Sequence, residues 1–142
     1  MAEILDPRRV RSGTWGQLWV NGELVAEAFS CQIVVKKNRE DVPRCGTMTA
    51  GKKLTGMEKT GSIGIYNATS RLIELEAAAQ KEGKDLNHVI ITDLNDPDNG
   101  RNQRVAVRGV SFDELTLADW EAGKLGKFVV PFIYEDFEVL DS

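Results

Sequence analysis

Apolar and polar residues alternate with a period of two along most of this chain, the signature of half-buried β-strands. Residues 14–20 (TWGQLWV) and 23–28 (ELVAEA) flank Asn21-Gly22. That pair predicts a tight hairpin, because both central turn residues need positive φ. The second run continues through 29–35 (FSCQIVV). Strict alternation puts Val25, Phe29, Cys31, Ile33 and Val35 on one face, expected to be core. It puts Ala26, Ala28, Ser30 and Gln32 on the other. Residues 60–66 repeat the pattern, with Ile63 and Ile65 opposite a small-residue face of Thr60, Ser62 and Gly64. Further strands are expected over 88–92, over 104–112 and within 124–140. In the last, Pro131 predicts a free or bulged edge, since proline donates nothing to a ladder. The period lengthens to three and four only in 67–82, where Leu72, Leu75 and Ala79 form a stripe widened by Ile73 and Ala77. This is the one predicted helix, with Asn67 or Thr69 as its cap and Gly83 as its stop. A short helical turn is expected within 113–122. Together the elements predict a mainly β (α+β) chain. The expected architecture is a β-sandwich or barrel with one flanking α-helix, a single domain over 1–142, and an extended arm over 1–13.

Residues 36–59 break the alternation with a basic, glycine-rich stretch. Its basic residues are Lys36, Lys37, Arg39, Arg44, Lys52, Lys53 and Lys59, against the acids Glu40, Asp41 and Glu58. Gly46, Gly51 and Gly56 punctuate it. A net charge of +4 here leaves −8 on the remainder, since the chain totals −4. A segment this long with few large apolar residues predicts a protruding basic hairpin or loop with a function of its own.

Composition then removes most other readings. With 42% hydrophobic and 28% charged residues, the 142-residue chain is ordinary for a globular domain. No apolar run reaches the roughly 18 residues of a membrane helix. The charged start MAEILDPRRVRSG is unlike a signal peptide, so a cytoplasmic product with no membrane binding of its own is expected. A net acidic chain is a poor clamp for nucleic acid. Two cysteines, Cys31 and Cys45, and one histidine, His88, fall short of a disulfide framework or a four-ligand zinc site.

The near-motifs fail on chemistry. Gly46-Thr47-Met48-Thr49-Ala50-Gly51-Lys52-Lys53 approaches a phosphate-binding loop, but Lys53 stands where a Ser or Thr must hold Mg²⁺. In 93–100, aligning Gly100 with the sixth position of a calcium loop places Pro97 at a ligand position, so a polar turn is expected there. Cys31 reads as a buried apolar residue and His88 as structural. Cys45 lies in the basic stretch beside Arg44, which favours a thiolate, but His88 is the one histidine it could pair with, so a Cys–His nucleophile is not expected. Glu74 and Glu76 sit two apart on the helix and do not face each other. No catalytic constellation and no cofactor site is left, and no enzyme activity is expected. A ligand-binding β-barrel is the alternative, and it needs an enclosed apolar cavity.

Several stretches, in order, carry a resemblance. They are Gly13-Thr14-Trp15-Gly16 with Trp19 and Asn21-Gly22-Glu23; Gly46, Gly51, Lys52, Gly56 and Thr60-Gly61-Ser62; and Ser111-Phe112 through Leu125-Gly126 (SFDELTLADWEAGKLG). The closing Val130-Pro131-Phe132, Asp136, Glu138 and Leu140-Asp141 complete the set. On these the chain resembles the tail tube proteins of contractile-tailed phages, the type of PBSX-like prophages and phage-tail-like particles. The basic, proline-containing stretch from Lys36 to Arg44 departs from the pattern. The resemblance implies a structural protein that forms homohexameric rings stacked into a rigid tube, assembled in the host cytoplasm. A tail sheath protein, a baseplate initiator and a tape-measure protein are the implied partners, with DNA only in passage through the lumen. It further implies that strands of neighbouring copies join into one inner barrel and that the long hairpin reaches the next ring. On that basis Ala26, Ala28, Ser30, Gln32, Thr60, Ser62 and Gly64 are expected to face the lumen. Lys36, Lys37, Arg39, Arg44, Gly46, Gly51, Lys52, Lys53 and Gly56 are expected to make contacts between subunits, against acidic residues within 113–142.

Overall fold

The computed structural model describes residues 4–68 and 70–141. Eight antiparallel strands carry the chain: β1 (Gly16–Val20), β2 (Glu23–Leu24), β3 (Ala28–Val42), β4 (Gly51–Tyr66), β5 (His88–Leu94), β6 (Gln103–Phe112), β7 (Lys127–Ile133) and β8 (Asp136–Asp141). One helix, α1 (Arg71–Lys81), lies between β4 and β5. The strand path runs β2-β1-β5-β6-β7-β4-β3, with β8 on β6. The expected β-rich class with a single helix is thus what the chain adopts.

Local chemistry explains the main turns. Asn21 and Gly22 have φ of 53° and 85°, the left-handed pair a two-residue hairpin requires. Their register pairs Val20 with Glu23. β6 pairs with β5 on one side. On the other it pairs first with β8, over Arg104–Arg108, and then with β7, at Ser111 and Phe112. Gly109, at φ 67°, sits where the pairing changes. The sheet folds there, so that its halves enclose one core. Leu18, Val20, Ile90 and Val107 come from one half; Ile63, Ile65, Val130 and Phe132 come from the other. Within β7, Pro131 accepts from the Asp113 N–H through its carbonyl, at 2.9 Å. Its missing donor therefore points away from β4, to the side where the ladder with β6 has ended, as a strand proline requires.

Three expectations about elements are corrected. The helix starts at Arg71, four residues later than expected, because Asn67 is held in a turn by the Gly126 carbonyl at 2.8 Å. Thr69, the alternative cap, lies outside the described residues, as do residues 1–3. Leu72 is buried as expected, but Leu75 stays 38% exposed and Glu76 takes the inward position. Gly83, at φ 71°, does end the helix: Lys84 N–H reaches the Ala79 carbonyl at 2.9 Å. Residues 113–122 form no helix. The described part of the N-terminal arm carries short 3₁₀ turns at Pro7–Arg9 and Gly13–Trp15. It is pinned to the 93–100 turn, where buried Asp96 accepts from Ser12 N–H at 2.8 Å and Asn99 donates to the Arg9 carbonyl at 2.5 Å.

Candidate functional site

Residues 36–42 and 51–59 are strand, joined by the turn 43–50. β3 and β4 stay paired from Ala28↔Ile65 to Val42↔Gly51. β7 leaves them at Thr60↔Ile133, so the ribbon beyond projects alone with both edges free. Nine residues of strand beyond the root, at ~3.4 Å each, give an arm of about 30 Å. Its root is fixed by Tyr134. The phenol donates to the Val34 carbonyl at 3.0 Å and the backbone N–H to Lys59 O at 3.2 Å. Burial raises the Tyr134 pKa, and Lys59 Nζ adds a bond to the Glu135 carbonyl at 2.7 Å.

The two faces of the arm differ, because cross-strand partners share a face. One face carries Lys36 opposite Glu58 and Glu40 opposite Lys53, so its charges cancel. The other carries Val35, Lys37 and Arg39, opposite Lys59, Met57 and Leu54. Lys52 on that second face is ion-paired to Asp41. Lys37 and Arg39 have no ion-pair partner among the described residues. Thr55 is the extra residue of a bulge between these pairs and donates to the Asn38 carbonyl at 3.2 Å. Arg44 folds over the tip and donates to the Thr49 carbonyl at 3.2 Å. Gly46 takes φ 82° in the tip turn and Gly51 opens β4, so the sequence that approached a phosphate loop leads into a strand.

Below the arm, the outer face of β3, β4 and β7 holds Ser30, Gln32 and Val34, then Thr60, Ser62 and Gly64, then Val129, Pro131 and Ile133. Lys127 is the single charged residue in 28–34, 60–66 and 127–133. Its ammonium lies 5.7 Å from both the Phe29 and Tyr66 ring centroids. This differs from the strict alternation in two ways. Phe29 leaves the core face because a bulge falls between Ala28 and Ser30. Its ring covers Gly64, where an added Cβ would come within 2.8 Å of it. Ala28 leaves the outer face by the same bulge, pairing with Ile65 and packing against the core. Ala26 lies in the exposed turn between β2 and β3. Val35, expected in the core, is exposed on the arm.

The loop 113–126 was readable in sequence only as a possible helical turn, and its apolar content is unexpected. It runs along β7 from Pro131, two residues from the arm root, to Asn67 at the end of the sheet away from the arm. Leu117, Leu125 and Trp120 are exposed, Trp120 to 83%. The clue lay in its composition: four large apolar residues, Leu115, Leu117, Trp120 and Leu125, among Asp113, Glu114, Asp119 and Glu121, without any period that would bury them all.

The chemical alternatives meet a different geometry. His88 and Glu76 are buried together and joined through Nε2 and Oε1. Asn21 Nδ2 lies 2.9 Å from His88 Nδ1, while Asn21 Oδ1 accepts from Val89 N–H at 3.0 Å. The amide orientation therefore makes Nδ1 the acceptor and leaves the proton on Nε2 for Glu76. This network ties the hairpin turn, α1 and β5 together inside the protein. Cys31, expected in the core, is exposed at the groove instead; the desolvation of its sulfur still pushes the thiol from 9.0 up to about 11, against a hydrogen bond from Thr92, which disfavours thiolate chemistry. No group of three potential metal ligands occurs among the described residues. A groove of about 720 Å³ is lined by Leu18, Leu24, Ala28, Phe29, Cys31 and Thr92, among others. It is the seam where β2–β1 and β3, the two ends of the strand path, meet without a ladder. No helix is long and apolar enough to cross a membrane among the described residues.

Comparison with known proteins agrees with the shape. A family model described as "Phage tail tube protein" matches residues 3–141. The PBSX phage-like element protein XkdM of Bacillus subtilis (strain 168) is 32% identical over 137 residues, 95% of this chain and 93% of its own. Among solved structures, the tube-terminating cap of the anti-feeding prophage superposes with a TM-score of 0.73. It is 11% identical, and the match covers 100% of this chain and 96% of that one. A chain of an extracellular contractile injection system, in a sheath–tube complex in the extended state, gives 0.67 at 10% identity, covering 88% of each. These two likenesses concern the fold.

Proposed function

The chain belongs to the phage tail tube protein family, and on that premise we propose that six copies close into a ring and that rings stack into the hollow inner tube of a contractile tail or tail-like particle. The coarser part of that reading, a tail tube-like protein of contractile injection systems, follows from the family and the fold it shares. The ring and the stack go beyond the family and the fold. One observation carries it: a two-stranded arm about 30 Å long with nothing packed on either face among the described residues. An isolated hairpin is marginal in water, so such an arm is made to be completed by a neighbour.

The sheet edges support lateral closure. Among the described residues, β3 ends the strand path with no strand paired on its outer edge, and β8 has none on its outer edge either. Exposed edges invite uncontrolled pairing unless a defined partner covers them. Pairing between copies turns that hazard into a ring. In this arrangement the face with Ser30, Gln32, Thr60, Ser62 and Gly64 lines the lumen, joined by Val34, Val129 and Ile133. Its lack of charge, Lys127 apart, suits passage of a polyanion, since no row of cations would hold it. Sheath, baseplate initiator and tape-measure proteins are the partners such a tube requires. The role is structural, with no catalytic step assigned to any residue.

Negative-stain electron microscopy of the purified chain across concentrations tests this. Uniform rings or tubes with six-fold end views are the expected result. Monomers alone at every concentration and ionic strength would overturn it, as would a tube reconstruction with Ile33 in the channel.

A further inference from the structure

Two Asn-Gly pairs occur in the chain, Asn21-Gly22 and Asn99-Gly100. Asparagine is thermally labile, most of all before glycine, which has no side chain to shield its backbone nitrogen. That nitrogen attacks the asparagine Cγ. The N–Cγ bond forms, the Cγ–Nδ2 bond breaks, and ammonia leaves with the proton of the glycine N–H. Water then opens the cyclic imide at either carbonyl carbon, leaving an aspartyl or an isoaspartyl link. Attack requires the asparagine side chain to swing its Cγ over the next nitrogen. At both glycines the space where a Cβ would stand is open. In the unfolded chain the two pairs are therefore chemically equivalent.

The fold makes them unequal. The Asn21 amide is held at both ends by β5: Nδ2 lies 2.9 Å from His88 Nδ1, and Oδ1 accepts from Val89 N–H at 3.0 Å. Its backbone N–H donates to the Val89 carbonyl at 2.8 Å, and His88 is itself fixed by buried Glu76. The side chain is thus turned toward β5 and away from Gly22. The Asn99 amide makes one hydrogen bond among the described residues, to the Arg9 carbonyl at 2.5 Å, and Arg9 belongs to the exposed N-terminal arm. Gly100 N–H reaches the Asp96 carbonyl at 3.3 Å, beyond the usual range of a strong bond. Exposure alone gives the opposite order, because Asn21 is exposed and Asn99 half-buried.

We propose that Asn99-Gly100 is the deamidation site of the folded chain, and that the bonds from Asn21 to His88 and Val89 hold Asn21-Gly22 shut. The consequence falls on the N-terminal arm. A carboxylate at position 99 has no proton to donate to the Arg9 carbonyl, and it adds negative charge beside Asp96 and Asp98, which shape the same turn. The arm keeps the Ser12–Asp96 bond and loses its other side-chain tie to that turn. All of this happens within one copy and is independent of the ring and the stack.

The test ages the full-length chain in mildly alkaline buffer, folded or in urea, and reads aspartate and isoaspartate at both positions by peptide mapping with mass spectrometry. In urea the two sites should react at similar rates. In the folded chain Asn99 should lead Asn21 by about tenfold, the effect of one additional hydrogen bond and a better-fixed partner. Equal rates in the folded chain, Asn21 in the lead, or no reaction at Asn99 would each overturn the proposal. His88→Ala should bring Asn21 level with Asn99, whereas Ile63→Ala, which weakens the core in the other half of the sheet, should leave their ratio unchanged. If Ile63→Ala releases Asn21 equally, global stability is the guard and the assignment to His88 fails. The wild-type comparison stands whether or not His88→Ala folds. Trypsin should cut the aged, folded chain at Arg8, Arg9 and Arg11 faster than the fresh one; unchanged cutting would overturn the release of the arm.

Discussion

The folded body and the arm are built from the same two strands, yet they are held together differently. Below Thr60, β3 and β4 lie against a core in which Ile63, Ile90, Val107, Val110 and Phe132 are almost entirely buried. Beyond it the ladder continues with no core at all, and the exposed side chains are cross-strand ion partners and isolated apolar residues. The body derives its stability from burial within one copy. The arm has main-chain pairing and weak exposed charges, each worth well under 1 kcal/mol or so. The difference separates what folds the chain from what assembles it.

Substitutions in the body should cost the most. His88→Ala leaves the Glu76 carboxylate buried without its partner and should lower stability by about 3–5 kcal/mol in urea denaturation. A loss below about 1 kcal/mol would mean that Glu76 reaches water. Gly61→Val comes next. A Cβ there would stand 2.5 Å from the Phe132 ring and 2.6 Å from the Gln32 carbonyl oxygen, so roughly 1–3 kcal/mol should be lost. Gly64→Ala should cost less. Its Cβ would meet the Ser30 hydroxyl and the Phe29 ring, exposed side chains that can move.

The arm should behave in the opposite way. Replacing residues 36–58 by a two-residue turn should change monomer stability by less than about 1 kcal/mol, yet abolish sedimentable polymer. Lys52→Glu, which breaks the exposed pair with Asp41, should alter the monomer by less than about 0.5 kcal/mol. Equal losses in body and arm variants would erase the comparison.

The smallest effect is a pH effect in the body. The folded Cys31 pKa lies above its ordinary value, so the native state retains a proton that the unfolded chain loses. Its contribution to stability is whole below pH 9 and declines as pH rises toward 11. Cys31→Ser should flatten that decline. At pH 8 the shift also makes Cys31 about 100-fold poorer in thiolate than an ordinary thiol, so a maleimide should label Cys45 at the arm tip first.

Most strands, the Asn21-Gly22 hairpin and the stop at Gly83 were legible because each depends on local chemistry. Tertiary partners decided the rest. Glu76 lies on the buried side of α1 because His88, twelve residues later, supplies its partner; a helical stripe drawn from hydrophobicity alone selects Leu75 instead. Phe29 and Ala28 exchanged faces through one bulge, which strict alternation has no means to register. The arm was legible as a protruding basic segment, but its division into a balanced face and a sticky face depends on the β3–β4 register. The loop 113–126 carries the resemblance clearly in sequence while giving no periodic clue to its shape. Its Leu117, Trp120 and Leu125 stay exposed rather than packing into the core.

The arm, projecting from one end of the sheet, also gives the molecule unlike poles. In the proposed stack, every ring that docks regenerates the end it covered, so the last ring is chemically the same as the first to be extended. Nothing in such a unit can count. The length of the particle is then information that this chain does not hold, and a fixed length requires a separate molecule that measures and another that stops growth.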